Sequence, residues 1–248
     1  MSPLAQALCA ALAVSAISLV GIVFLFQESW THRSEMAFVS FAAGVLLGSA
    51  FLELFPEALE QSHQDVAGLF LAPLVAMVAF FFLERWLHGF HEHDGGSSRT
   101  PGMLILIGDG LHNFVDGVVI AASFLASPGL GVATSLAVAA HEVPQEVADY
   151  AILARGYTPR RALLLNFLSG LTALLGVFAC FWVEDWVRAH LGTCLTATAG
   201  MFIYIAGADL IPELHHQHRG RGGWLHTAPF LVGIAIVAAL LRWTEGAG

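Results

Sequence analysis

Two short segments carry most of the chemistry open to this chain of 248 residues: HNFVDG at 112–117 and HEVPQE at 141–146. They supply two imidazoles, His112 and His141, the carboxylates Asp116, Glu142 and Glu146, and the amides Asn113 and Gln145. Asp149 follows within one more turn. Imidazole nitrogens mixed with carboxylate and amide oxygens suit a borderline divalent cation such as zinc or ferrous iron. If both segments are helical, residues four apart share a face: His112 with Asp116, His141 with Gln145, and Glu142 with Glu146.

The elements that position these residues have an unusual setting. The chain is 57% hydrophobic and only 12% charged, with a mean hydropathy of +0.73, far from a soluble globular balance. It belongs in a bilayer. Nineteen acids against ten bases give a net charge of −9, which excludes nucleic acid as the expected partner and favours cations. Cys9, Cys180 and Cys194 fall singly in apolar stretches and read as packing residues, with no paired spacing for disulfides or a cysteine zinc site. The first 26 residues lack a basic leader and run too long for a signal core, so they read as a retained span.

Eight apolar runs are long enough to cross a membrane as helices, at about 3–26, 35–56, 68–87, 101–125, 130–154, 162–183, 194–213 and 227–243. The expected fold is therefore all-α, one bundle of eight transmembrane helices over 1–248 with no soluble domain. Both stripes fall inside runs four and five. Four carboxylates facing lipid unpaired would cost roughly 10–14 kcal/mol, so they must face one another, water or a cation. The short turn near Pro128-Gly129 makes the two runs an antiparallel hairpin. Asp116 then lies level with His141 and His112 with Gln145, some 17–25 Å from the turn at about 1.5 Å per residue, near the middle of the bilayer. Pro144 removes one backbone donor and tends to free the carbonyl of Ala140. A lone intramembrane histidine is more often a hydrogen-bonded packing residue, but eight polar residues at one depth are not explained that way.

With the N-terminus outside, the inner loops hold Arg33, Arg85, Arg99, Arg155, Arg160, Arg161, Arg219 and Arg221, leaving only Arg188 and Arg242 outside. Both termini are therefore expected outside the cytosol. Run two ends in Glu53-Leu-Phe-Pro-Glu57 and run seven in Asp209-Leu-Ile-Pro-Glu213. Travelling in opposite directions, the copies mark runs one to three and six to eight as inverted repeats around the hairpin, with acids at both mouths of a pathway. His88, His91, His93 and Asp94, and His215, His216 and His218, lie in cytosolic loops; they could collect metal or equally be solvated polar loops.

HNFVDG followed by HEVPQEVADYAIL resembles the ZIP (Zrt-/Irt-like protein) family of divalent metal transporters, as do FLELFPEA, GADLIPEL and NFLSGLTALLG, which begins at Asn166. The resemblance covers nearly the whole chain. It implies a metal centre of His112, Asn113, Asp116, His141, Glu142 and Gln145, and movement of zinc, or of iron, manganese or cadmium, toward the cytosol. The metal is cargo rather than a resident cofactor. Glu53, Glu57, Glu146, Asp149, Asn166, Asp209 and Glu213 are the expected pathway residues. Gln145 stands where the related HExPHE form has histidine and other members glutamate. A glutamine cannot bridge two metals as a carboxylate does, which leaves one cation expected and a second unspecified, and tilts the preference toward harder metals.

Rival readings fit less well. His112 to Asp116 also reads as the HxxxD of cation-diffusion exporters, but those have six spans and a cytosolic domain. HEVPQ is one residue short of the HExxH of zinc proteases, and HHQH resembles the histidine boxes of membrane di-iron oxygenases, yet the stripes are central and acid-rich. A multi-pass protein of a bacterial inner membrane is the expected setting. A homodimer is compatible with this setting.

Overall fold

The computed structural model describes residues 1–25, 32–62, 66–91, 100–216 and 224–246, and helix is the only regular structure among them. In order these are α1 (Pro3–Leu25), α2 (His32–Gly48), α3 (Phe55–Gln61), α4 (Val66–His91), α5 (Thr100–Ala126) and α6 (Pro128–Gly156). There follow α7 (Pro159–Gly170), α8 (Thr172–Trp182), α9 (Glu184–Ala189), α10 (Leu191–Ile205), α11 (Ile211–His216) and α12 (Trp224–Gly246). Helix covers the apolar runs expected from the sequence, among the described residues, apart from turns at Leu171 and Val183. Among the described residues, four stretches are long and apolar enough to cross a membrane: Met36–Gln61, Val66–Leu83, Pro159–Trp182 and Leu191–Ala208. On α4, Phe70, Leu71, Leu74, Val75, Val78 and Phe82 are exposed, a surface suited to lipid rather than water.

Two joints differ from plain helix in the same way. Between α2 and α3 the chain is wound as a π-helix over Ser49–Leu54, and between α10 and α11 over Ala206–Leu210. Each precedes a proline by two residues: Pro56 and Pro212. Proline lacks an N–H and its ring clashes with the carbonyl four residues back, so an α-helix running into it is strained. Widening the winding relieves this, and the Phe55 N–H reaches Ala50 O while the Ile211 N–H reaches Ala206 O, five residues back in both cases. The helix thus passes through both acid-Leu-x-Pro-Glu segments instead of ending there.

The run expected over 162–183 is broken at Leu171 into α7 and α8. The Thr172 hydroxyl bonds to Gly110 O at 2.6 Å and Ser169 O at 2.7 Å, tying this joint to α5. The centre of the molecule is the α5/α6 hairpin. It packs against α1, with α8 on α5 and α2 on α6, while α10 rests on α4 and closes over α5.

The hairpin turn is one residue wide. Ser127 is extended, its Oγ accepts the Leu130 N–H at 3.2 Å, and Pro128 opens α6 where no donor is needed. Ser127→Ala should cost about 1 kcal/mol by removing that cap; thermal unfolding in detergent would read it as a lower midpoint with the helix content kept.

Candidate metal centre

Helices α5 and α6 bring four of the expected side chains to one point. His112 and Asp116 stand one turn apart on α5; His141 and Glu142 are adjacent on α6. His112 Nε2 lies 3.2 Å from His141 Nε2, 3.6 Å from Asp116 Oδ2 and 3.7 Å from Glu142 Oε1. His141 Nε2 lies 3.3 Å from Asp116 Oδ2 and 3.5 Å from Glu142 Oε1. Ligands held about 2.1 Å from a tetrahedral zinc ion stand about 3.4 Å apart. Five of the six edges of this tetrahedron therefore match the size of a zinc shell, and all four atoms lie within 4.8 Å of one another.

The donors are set for coordination. His141 Nδ1 lies 3.2 Å from Ala137 O, and a ring N–H there leaves the Nε2 lone pair facing the cluster. Two imidazole nitrogens 3.2 Å apart need a proton or a cation between them, because facing lone pairs repel. Asp116, His141 and Glu142 are each 2% exposed, and Asp116 Oδ2 and Glu142 Oε1 have no hydrogen-bond partner. A cation would satisfy both. Phe80 of α4 stands edge-on to His112 and Phe202 of α10 to His141, each 6.2 Å between ring centres, so apolar walls lower the local dielectric.

Other expected residues fall elsewhere. Asn113 and Gln145 turn their amide nitrogens to Asp109, which sequence reasoning missed: Asn113 Nδ2 is 2.9 Å and Gln145 Nε2 3.5 Å from Asp109 Oδ1. Asp109 lies four residues before Asn113 and seven before Asp116, so helical spacing was the available signal. Asp109, Glu142 and Glu146 form a second group of acids within 4.8 Å. Asn166 Nδ2 of α7 donates to both the Oε2 and the backbone carbonyl of Glu146. Asp149 is half-buried. Glu53 is buried in the first π segment, with Oε2 unpartnered. Glu57 accepts from Gln61 Nε2 at 3.0 Å. Asp209 lies in the second π segment and Glu213 in α11, their side chains outside the described set, as are those of His88, His91, His215 and His216. His93, Asp94 and His218 are outside the described residues. The helix α6 continues through Pro144 to Gly156.

Known proteins resemble this chain in sequence. A zinc transporter ZIP13 from Pongo abelii is 36% identical over 79% of this chain, and a zinc transporter ZIP4 from Mus musculus is 28% identical over 87% of it. A human zinc transporter ZIP10 is 36% identical over 50% of the chain. The chain spans 62%, 44% and 16% of those relatives' own lengths. The family model described as "ZIP Zinc transporter" matches residues 4–101 and 91–241, both sides of the hairpin and the hairpin itself. With nearly the whole chain matched, this protein belongs to the ZIP zinc transporter family.

Proposed function

We propose that this protein carries a divalent cation, zinc before iron, manganese or cadmium, across the membrane toward the cytosol through the four-ligand site of His112, Asp116, His141 and Glu142. It is a multi-pass membrane protein. The observation that carries the reading is the tetrahedron itself, five of whose edges, at 3.2–3.7 Å, fit a zinc shell with no rearrangement of the backbone. A cation neutralises the buried acids that otherwise have no reason to lie in apolar helices. The site lies buried between helices of a chain matched by a transporter family, so it reads as a carrier and not as an enzyme.

The wider reading is a single bundle of eight spans with both termini outside the cytosol, in a bacterial inner membrane. Runs one to three and six to eight are its inverted repeats. The matched π turns before Pro56 and Pro212 support that symmetry, because the same local solution recurs at corresponding places. In this reading a cation loses water near Glu53 and Glu57, passes the centre, where Asn113 and Gln145 add amide oxygens, and leaves past Glu146, Asn166, Asp149, Asp209 and Glu213.

Zinc uptake into liposomes containing the purified chain and an internal fluorescent chelator tests this. The wild type should accumulate zinc, and His112→Ala and His141→Ala should each lose most of the uptake. Undiminished uptake by both variants would sink the proposal.

A further inference from the structure

Asp109 is buried one turn before His112 and Asn113 on α5. Its Oδ1 accepts Asn113 Nδ2 at 2.9 Å and its backbone carbonyl accepts the same nitrogen at 3.2 Å. Gln145 Nε2 approaches the same Oδ1 from α6 at 3.5 Å. Carboxylate and carbonyl oxygens only accept, so both amides must turn their NH2 groups to Asp109. Only the oxygen end of an amide binds a cation. The hydrogen bonds to Asp109 thus decide which end of Asn113, next to His112, and of Gln145, one turn beyond His141, is free for a metal.

We propose that Asp109 is a positioning residue of the metal centre, which holds the amides of Asn113 and Gln145 with their NH2 groups turned away so that their oxygens are the ends offered to the cation. This rests on the metal-centre reading above. Metal sites depend on such supporting hydrogen bonds, and loss of one costs about 10–100-fold in affinity.

Zinc titration of the detergent-purified full chain, with a competing chromophoric chelator, separates the roles. Asp109→Ala removes the carboxylate that holds both amides, leaving Asn113 only its longer bond to the backbone carbonyl at 109, and should weaken zinc binding about 10–100-fold. Asp109→Asn should recover most of that loss: its oxygen still accepts from Asn113, and its new NH2 has acceptors nearby in Glu142 and Glu146, each of which has a carboxylate oxygen within 4.8 Å of one of Asp109. In an Asn113→Ala/Gln145→Ala background, Asp109→Ala should add little, because the groups it positions are gone.

Wild-type affinity in Asp109→Ala overturns the proposal. So does Asp109→Asn binding as weakly as Asp109→Ala, or an undiminished loss in the amide-free background. Either of these would mean that the Asp109 charge acts directly, as in a second cation site with Glu142 and Glu146, and a fall in zinc stoichiometry would mark that case. A wild type that binds no zinc, or a His112→Ala variant that binds it as the wild type does, rejects the metal centre itself and the role of Asp109 with it.

Discussion

Glu142→Gln should make the metal-free protein harder to unfold and at the same time remove most of the stabilisation that zinc confers. Glu142 Oε1 is 3.7 Å from His112 Nε2 and 3.5 Å from His141 Nε2, and the same side chain belongs to the group with Asp109 and Glu146. Without a cation, several of these buried carboxylate oxygens have no partner, and each such group costs about 1–3 kcal/mol. A glutamine amide donates to the neighbouring acids and needs no added proton to do so. The metal-free midpoint should therefore rise.

Zinc binding should respond in the opposite direction. A ligand present at a hundred times its dissociation constant stabilises the folded state by about 2.7 kcal/mol. If losing the charged corner weakens binding a hundredfold, the same zinc concentration gives only RT ln 2, about 0.4 kcal/mol. Thermal unfolding in detergent with and without zinc measures both signs. A glutamate that merely packed would lower the midpoint in both conditions. Retention of the wild-type zinc shift in Glu142→Gln would remove Glu142 from the centre.

The central geometry was legible because polar residues in apolar runs are expensive and helices have a fixed rise. Once the turn was set near Pro128, counting outward placed Asp116 beside His141, and they stand 3.3 Å apart. Counting along the chain says nothing about which way a short amide points. Gln145 and Asn113 were grouped with the ligands, but not with the group that holds their nitrogens, Asp109, an acid lying before the motif rather than within it. The paired prolines were visible, but not the means of absorbing them. A proline can end, kink or widen a helix, and packing on both sides selects among these. The joint at Leu171 was hidden for a similar reason: the apolar run is continuous, and the Thr172 bond to Gly110 is a long-range contact.

Gly117→Ala should reduce zinc affinity and uptake more than tenfold, although it adds a single methyl group. A Cβ on Gly117 would sit 1.9 Å from Ala173 O of α8, and one on Gly176 of α8 would sit 1.9 Å from Phe114 O of α5. The two helices cross with their backbones in contact, each glycine opposite the other's carbonyl. The obstacle is therefore main chain, which has no rotamer to change. Real Cβ contacts begin near 3.0 Å, so α5 must retreat by 3.0 − 1.9 = 1.1 Å or more. Asp116 precedes Gly117 directly and would move with it. Metal shells tolerate only about 0.2 Å, and a misplacement of about 1 Å can cost about a hundredfold. Overpacking of this kind also destabilises by about 1–3 kcal/mol. Gly110→Ala is the matched control on the same helix, because its Cβ would meet only the Thr172 side chain, Cγ2 at 3.6 Å and Oγ1 at 4.0 Å, both ordinary contacts. It should keep uptake and gain up to about 1 kcal/mol of helix propensity. Zinc binding by Gly117→Ala at wild-type affinity would show that α5 and α8 need not touch for the site to form.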